Sequence, residues 1–411
     1  MYIPRKIESR LVYLSEHFPV VIVGGARQTG KTTLVKRLIS ENVGARYATL
    51  DYPRLRDLAR NDPELFLQSY PPPVVIDEIQ YAPELLPYIK TRVDDNRTPG
   101  QYFLTGSQMF RVMKGVSESL AGRAGILSIY GLSRAEIKGK PEKPFLPTAA
   151  PDGAEGKPAD RSSETVVDVF DQIYRGSMPQ MIVDSELTPE AYYGGYVQTY
   201  LERDVRALLE IKNESTFLKF LGCAAARTGQ ELNLSDLGKD VGIDSKTAKR
   251  WLSLLVTSGI VFLLQPYSRN TVKRIVKRPK AYFMDCGLAC YLSLWNNPRA
   301  LENSAAAGAF FETYVVSELV KEYCNAGLDV RSRFFYYRDR NGAEIDLIIY
   351  ENGVLYPVEI KKSGEPQKDA IKNFLALDGF PEKRGPGAVI CLSPIRYPLD
   401  ADNFAIPIGE I

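Results

Sequence analysis

Two glycines, a lysine and a threonine stand at the spacing Gly-x4-Gly-Lys-Thr, directly after an apolar run at residues 19–23. In this pattern a glycine-relaxed turn lets backbone N–H groups converge on an anion, the lysine reaches phosphate oxygens, and the hydroxyl binds Mg²⁺. Chance alone would produce this spacing in such a chain on the order of one time in a hundred. The segment therefore predicts a P-loop that binds ATP and Mg²⁺. The residues of this predicted site are Gly25, Ala26, Arg27, Gln28, Thr29, Gly30, Lys31, Thr32 and Thr33.

Two carboxylates close a second apolar run, because residues 74–76 are followed by Asp77 and Glu78. A buried parallel strand would deliver both side chains at its carboxyl end, beside the P-loop. We expect Thr32 and Asp77 to hold Mg²⁺ and Glu78 to polarise the water that attacks the γ-phosphate. Taken alone, a strand that ends in Asp-Glu is more often an ordinary junction. Its position after the P-loop, with helical patterns between them, favours a functional role.

Polar residues also follow the strand-like run at residues 102–105. If this strand is parallel to the other two, Ser107 and Gln108 emerge at the same edge and could sense the γ-phosphate. A polar turn is an equally good explanation for them. Arg123 is a candidate for stabilising transition-state charge, in cis or in trans, although an arginine at an exposed helix end is the commoner case.

Alternating strand-like and helix-like patterns must position these groups. Over residues 1–137 the alternation predicts an α/β domain with a doubly wound parallel sheet. Residues 138–163 are dense in Pro, Gly, Ala and charge, which predicts a linker or a long surface loop. Residues 164–230 have the patterns of helices, including one that begins at Pro189.

The composition narrows the classes of protein that remain. A chain of 411 residues should contain two or three domains, and 45% apolar with 25% charged residues is typical of a globular protein. Five cysteines without a Cys-x-x-Cys pair, and a single histidine (His17), argue against structural zinc, a disulfide framework and a catalytic triad. A net charge of +2 limits any nucleic-acid surface to a local patch. No long apolar run or N-terminal signal is present, so we expect a cytoplasmic protein without membrane contact.

Residues 231–282 have the order helix, turn, helix, strand, which predicts a winged-helix region. Three cations, Lys246, Lys249 and Arg250, lie on its presumed recognition helix. A basic run where a wing would lie adds Arg269, Lys273, Arg274, Lys277, Arg278 and Lys280. These residues are candidates for contacts with double-stranded DNA. The alternative is that the region packs against the ATPase and that the basic run is a solvated surface.

A second constellation lies in residues 283–411. Glu312 falls on a predicted long helix, Asp346 on a strand, and Glu359 and Lys361 on the next strand. Side chains two residues apart share one face of a strand, so a hairpin turning at residues 351–353 would bring Asp346, Glu359 and Lys361 together. Such a set binds Mg²⁺ and activates water in PD-(D/E)xK nucleases. The alternative is a pair of surface charges on an amphipathic strand.

Over most of its length the chain resembles prokaryotic AAA-superfamily ATPases that join an AAA core to a C-terminal domain of unknown function with a PD-(D/E)xK-like fold. The stretches that carry the resemblance are residues 25–33, 75–80, 104–108, 119–123, 176–179, 200–205, 280–287, 308–312, 344–346 and 359–361. The resemblance implies an ATP-binding core, a helical and winged-helix middle, and an α/β restriction-nuclease-like C-terminal domain. Relatives often complete their sites with a neighbour's arginine, so a homo-oligomer is one expectation. The chain departs from the pattern at Ser177, where many relatives have glycine, and in the Pro-rich segment at 138–163.

Three functions follow as hypotheses. The first is an Mg²⁺-dependent ATPase whose nucleotide state controls engagement of DNA or a partner. The second is an ATP-gated DNA endonuclease that uses the C-terminal carboxylates and lysine. The third is a DNA-binding regulator switched by ATP binding without hydrolysis, against which Glu78 argues.

Overall fold

The structure is a computed structural model that describes residues 2–42, 44–107, 119–141, 143–147, 164–200, 214–268 and 278–411. Gln108, Arg269, Lys273, Arg274 and Lys277 lie outside these ranges.

The N-terminal part is built around a parallel sheet of five strands in the order β2-β3-β4-β1-β5. The strands are β1 (Val20–Gly25), β2 (Arg46–Thr49), β3 (Val74–Asp77), β4 (Tyr102–Thr105) and β5 (Ala124–Ile129). The sequences of β1, β3 and β4 are mostly apolar and buried at every position, as suits central strands that are covered on both faces. Because all five strands run in the same direction, β1, β3 and β4 end at one edge of the sheet.

Helices cover both faces of this sheet. The helices are α1 (Glu8–His17), α2 (Lys31–Asn42), α3 (Pro53–Asn61), α4 (Pro63–Ser69), α5 (Leu85–Asp95) and α6 (Arg134–Lys138). One core contains Val20 and Ile22 with residues of α3, α4 and α5, and the other contains Val21 and Val23 with residues of α1 and α2. The predicted doubly wound α/β arrangement is therefore confirmed for this part of the chain.

Helices dominate the middle of the chain. They are α7 (Val166–Arg175), α8 (Pro179–Val183), α9 (Pro189–Tyr200), α10 (Glu214–Ala226), α11 (Leu234–Val241) and α12 (Ser245–Thr257). Three strands also lie in this part of the chain: β6 (Gln230–Glu231) between α10 and α11, and β7 (Val261–Pro266) and β8 (Lys280–Phe283) after α12. Gly242, at φ 80°, ends α11, and the Asp244 side chain accepts from the Thr247 backbone N–H to cap α12. Strand β8 pairs antiparallel with both β6 and β7.

The C-terminal part has one long helix and a mixed sheet. Its helices are α13 (Cys286–Leu292), α14 (Pro298–Glu302) and α15 (Ala307–Asn325). Its strands are β9 (Phe334–Arg338), β10 (Glu344–Glu351), β11 (Val354–Lys361), β12 (Lys383–Arg384), β13 (Gly387–Cys391), β14 (Tyr397–Pro398) and β15 (Asn403–Pro407). Strands β10 and β11 form the predicted hairpin, whose turn places Asn352 and Gly353 at positive φ.

The middle and C-terminal strands form one continuous sheet, because β7 pairs in parallel with β9. The predicted boundary between residues 282 and 283 therefore does not separate two sheets, since strands on both sides of it belong to the same sheet. Part of the predicted 138–163 linker is also packed rather than free, since Phe145 and Leu146 contact the core and the Tyr323 hydroxyl donates to the Phe145 carbonyl at 2.7 Å. Within the described ranges, no helix is long and apolar enough to cross a membrane.

Candidate functional site

The P-loop connects the carboxyl end of β1 to the first turn of α2. Gly25 has a φ of 141°, and a Cβ atom at this position would lie 2.0 Å from the Ile129 carbonyl oxygen. Gly30 has a φ of 89°. Both positions therefore require glycine, the first for space as well as for backbone conformation. The loop ends at the N-terminus of α2, and the first turn of an α-helix presents backbone N–H groups without intrahelical partners, which favour an anion.

Lys31 lies across this loop. Its buried ammonium donates to the carbonyl oxygens of Gly25 at 3.1 Å and Ala26 at 2.7 Å. The Thr29 hydroxyl also turns back into the loop and donates to the Ala26 carbonyl at 2.9 Å. The positive charge is thus held directly over the turn that the sequence identifies as phosphate-binding.

Asp77 lies at the end of β3 and collects three hydroxyl donors. Thr32 Oγ1 is 3.0 Å from Asp77 Oδ1, the Tyr47 hydroxyl donates to Oδ2 at 2.6 Å, and Thr105 Oγ1 donates to Oδ1. The structure thereby brings Thr32 and Asp77 together, as the sequence predicts for the two Mg²⁺ ligands. Burial and the hydrogen bond to Asp77 raise the pKa of Tyr47, which therefore remains a donor.

Glu78 is held by two neighbouring polar side chains. Gln80 Nε2 and Ser107 Oγ both donate to Glu78 Oε2, the latter at 3.3 Å. The backbone of Glu78 is left-handed (φ 59°), which turns its side chain away from the line of β3. Predicted residues Glu78 and Ser107 are therefore in contact, and Gln80 joins them.

Arg5 braces the P-loop from outside the motif. Its guanidinium donates to the Thr29 carbonyl at 2.8 Å, to the Tyr130 carbonyl at 3.0 Å and to Glu136 Oε1 at 3.0 Å. The side chains of Arg5 and Glu136 are only 4% and 0% exposed. A buried ion pair thus ties the N-terminal segment, the P-loop and α6 to one another.

Replacing Arg5 with methionine should weaken ATP binding and lower stability together. The Thr29 carbonyl would lose its donor, and Glu136 would lose its buried counter-ion and keep only backbone donors, the kind of loss that costs up to about 3–5 kcal/mol. Thermal unfolding and ATP titration would measure both effects, with Arg54→Met, a substitution at an exposed site on α3, as the control. Unchanged ATP affinity in Arg5→Met would contradict a bracing role.

Arg123 does not reach the phosphate site of its own chain. It directly precedes β5, next to the start of β1, and so lies at the opposite edge of the sheet from the P-loop. Its guanidinium binds both carboxylate oxygens of Asp94, at 2.6 and 2.9 Å. A role for Arg123 at the phosphate site of its own chain therefore does not fit the structure. In a parallel sheet the strand starts, where Arg123 lies, are at the opposite edge from the strand ends beside the P-loop.

The predicted DNA-contacting cations fall into two groups. Lys246, Lys249 and Arg250 are exposed on α12, and Arg278 is exposed just before β8. Lys280, which the sequence assigns to the basic surface run, is instead only 3% exposed. Strand β8 is buried along its whole length, so Lys280 is enclosed by the neighbouring elements, a detail that a count of charges in the run does not reveal.

Lys280 lies among the C-terminal carboxylates. Its Nζ is 2.6 Å from Glu344 Oε1, 3.1 Å from Glu312 Oε1 and 3.7 Å from Asp346 Oδ1. Asp346 Oδ2 accepts from the Ile360 backbone N–H at 2.9 Å. Glu359 binds Lys361 through Oε1 at 2.6 Å, whereas its Oε2 is buried without a hydrogen-bond partner. The structure therefore gathers the four predicted residues and adds Lys280 and Glu344.

Charge and burial act against each other in this cluster. Burial and the negative charge of Asp346 raise the pKa of both Glu312 and Glu359, although Lys280 and Lys361 oppose the shift. Burial alone would lower the pKa of Lys280, but Glu312, Asp346 and Glu344 raise it. As they stand, the His, Cys, Asp and Glu side chains of the described ranges include no group of three arranged to hold a metal ion.

Sequence reasoning missed several residues of these two sites. Tyr47 lies opposite Val75 on the neighbouring strand, and Arg5 and Glu136 are 131 residues apart in the chain. Only the position of Gln80, two residues after Glu78, offered a local signal. The other partners approach through the tertiary fold.

Comparison with known proteins agrees with the P-loop geometry. Residues 17–138 match the AAA domain family, and residues 167–299 and 307–411 match two domains of unknown function, DUF8612 and DUF4143. Uncharacterized proteins of Mycobacterium bovis and Mycobacterium tuberculosis are each 28% identical to this chain over 408 residues, which cover 99% of this chain and 84% of theirs.

Among solved structures, a Walker-type ATPase of Pyrococcus abyssi is 16% identical, with coverage of 71% of this chain and 96% of that one and a TM-score of 0.45. A RuvB variant of Thermotoga maritima is 18% identical, with coverage of 62% and 85% and a TM-score of 0.29. The N-terminal third of this chain is therefore similar to AAA domains in sequence, and together with its loop geometry this supports a P-loop ATPase domain of AAA type.

Proposed function

We propose that the protein is an Mg²⁺-dependent ATPase whose nucleotide state controls engagement of double-stranded DNA or a partner. The observation that carries the proposal is the meeting of Thr32, Asp77, Glu78 and Ser107 beside the P-loop. In this proposal, residues 25–33 cradle the phosphates, and Lys31 binds the β and γ oxygens. Glu78 positions the attacking water, and Ser107 senses the γ-phosphate.

The residues present fit Mg²⁺. Thr32 Oγ1 and Asp77 Oδ1 lie 3.0 Å apart at the mouth of the loop, and both are oxygen donors of the kind that this ion prefers. A bound Mg²⁺ would neutralise charge on the phosphate oxygens. Tyr47 and Thr105 would orient the Asp77 carboxylate by their hydrogen bonds.

Replacing Glu78 with glutamine should lower ATP turnover about a hundredfold or more while ATP still binds, because the amide cannot polarise the attacking water. Phosphate release and ATP titration would separate these two effects. The matched control is Glu84→Gln at an exposed position six residues further along the chain. If wild type turns ATP over slowly, Glu78→Gln does so at the same rate, and the protein is retained on DNA only with ATP, the non-hydrolytic switch would be favoured instead.

For the middle region we propose a winged helix that contacts DNA. Support comes from the order of α10, β6, α11, α12, β7 and β8, and from the antiparallel pairing of β8 with both β6 and β7. Lys246, Lys249 and Arg250 lie on the exposed face of α12, which would be the recognition helix.

Replacing Lys246, Lys249 and Arg250 together with alanine should weaken DNA binding at every sequence tested. If all three contact phosphates, the slope of log affinity against log salt concentration should fall by about 3 in magnitude. Fluorescence anisotropy with a labelled duplex at several salt concentrations measures this slope. Alanine at Lys368, Lys372 and Lys383, which are exposed on the C-terminal part, is the matched control. Equal loss in both triple variants would indicate a general charge effect.

For the C-terminal part we propose a nuclease-like architecture. Helix α15, the β9-β10-β11 meander and the parallel pairing of β11 with β13 support it. The endonuclease alternative rests on the convergence of Asp346, Glu359 and Lys361, and it requires a metal ion beside the ammonium of Lys280. DNA engagement without cleavage is therefore the function that we put first.

A further inference from the structure

A buried ammonium stands at the centre of the C-terminal carboxylates. Lys280 Nζ lies within 4 Å of oxygens from Glu312 on α15 and from Glu344 and Asp346 on β10. Lys280 is 3% exposed, and Glu312 and Asp346 are largely buried, so these two contacts are shielded from water and salt, whereas the Glu344 side chain is 31% exposed. Three structural elements thus meet around one positive charge.

The sheet determines where this ammonium lies. Lys280 pairs with Leu264 of β7 on one side and with Glu231 of β6 on the other. Tyr282, two residues later, faces the same way and donates to the Glu312 Oε1 atom that Lys280 also contacts. The ring of Tyr336 lies 5.7 Å from Nζ on a further side. The main chain of Lys280 is therefore paired on both sides and its side chain is enclosed by neighbouring groups, unlike that of a surface lysine.

The contacts of Lys280 use the oxygens that a metal ion would need. Mg²⁺ binds carboxylate oxygens at about 2.1 Å and demands near-octahedral geometry. Glu312 Oε1 already accepts from an ammonium and a phenol, and Glu344 Oε1 is 2.6 Å from the ammonium. A divalent ion on these atoms would have to replace the lysine or lie close to its like charge.

We propose that Lys280 is the resident cation of this cluster, in place of a divalent metal. The ion pairs of Lys280 then hold β8 against α15 and β10. While Lys280 occupies the cluster, no metal site for DNA cleavage is available there. This inference concerns the C-terminal part and does not depend on the proposed ATPase function. Once the lysine is removed, the carboxylate oxygens that it contacts would be available to a metal ion, and Glu359 Oε2, which is buried without a hydrogen-bond partner, would be a further ligand.

The test is to measure Mn²⁺ binding to the full-length, nucleotide-free protein by calorimetry. Wild type and Asp346→Asn should bind Mn²⁺ alike, because in the wild type no metal uses Asp346. Lys280→Met should bind Mn²⁺ at this cluster with an affinity at least about tenfold higher than that of the wild type. Removing the ammonium leaves the carboxylates free to bind the metal. Adding Asp346→Asn to Lys280→Met should abolish this gain, and Lys280→Arg, which keeps a positive charge, should not show it.

A wild-type Mn²⁺ site that is lost in Asp346→Asn would overturn the proposal, and so would a folded Lys280→Met protein that gains no metal. The comparison of wild type with Asp346→Asn remains decisive even if Lys280→Met does not fold. Supercoiled plasmid provides a second measurement. Wild type with Mn²⁺ should leave the plasmid intact, and nicking that disappears in Asp346→Asn would again contradict a lysine-filled site.

Discussion

Replacing Lys31 with alanine is expected to lower ATP turnover at least about a hundredfold, because the only ammonium within the P-loop motif would be lost from the phosphate oxygens. The structure places this ammonium over the loop, 2.7 Å from the Ala26 carbonyl, so it needs only a local side-chain movement to meet a phosphate. Phosphate release under saturating ATP and Mg²⁺ measures turnover, and ATP titration measures binding.

Lys219→Ala is the matched control for this prediction, since Lys219 is exposed on α10 and far from the loop in sequence. Circular dichroism would show whether Lys31→Ala keeps its fold, as the loop carbonyls of Gly25 and Ala26 also lose a donor. A folded Lys31→Ala protein that hydrolyses ATP at the wild-type rate would remove the basis of the ATPase proposal.

Replacing Asp285 with alanine is expected to destabilise the protein by about 4 kcal/mol, because several buried donors would lose their acceptor at once. Asp285 caps α13 through the Leu288 N–H at 2.8 Å, and it also accepts from Ser177 N at 2.8 Å and from the Tyr193 hydroxyl at 2.7 Å. Ser177 in turn accepts the Leu132 N–H at 2.7 Å, so the carboxylate helps to join the ATPase part to the helices that follow.

Thermal unfolding tests this prediction, and a decrease in Tm of about 5 °C is expected from a loss of that size in a chain of 411 residues. Asp244→Ala is the matched control, because Asp244 caps α12 in the same way but is exposed and accepts from residues of its own helix, Thr247 above all. Its loss should be much smaller. Equal decreases in the two variants would mean that capping alone, rather than the buried contacts, accounts for the effect of Asp285.

The sequence predicted the arrangement of the P-loop and of the neighbouring strand ends because the patterns that determine them are local. The spacing of Gly25, Gly30 and Lys31 determines a turn before a helix, and an apolar run before Asp77 determines a strand end. Because the strands are parallel, their carboxyl ends meet at one edge of the sheet, so no further sequence signal is needed to predict that these residues are close. Ser107 reached the same edge for this reason, as expected from the strand that precedes it.

Arg123 and Lys280 illustrate what sequence patterns left open. Arg123 was a candidate in cis or in trans beside the commoner case of an exposed arginine, and it lies at the far edge of the sheet, paired with Asp94. Lys280, which the sequence placed in a basic surface run, is turned inward towards Glu312. In each case the outcome depends on which end or face of a strand meets which neighbour.

The sequence by itself determined the P-loop, the strand that delivers Asp77 and Glu78, the doubly wound sheet and the β10-β11 hairpin, because short-range spacing sets backbone conformation and side-chain direction. The tertiary structure alone decided that Arg5 and Glu136 brace the loop and that Lys280 lies among the carboxylates. These partners are distant in the chain. Burial makes their contacts strong, and burial is a property of packing that no local pattern contains.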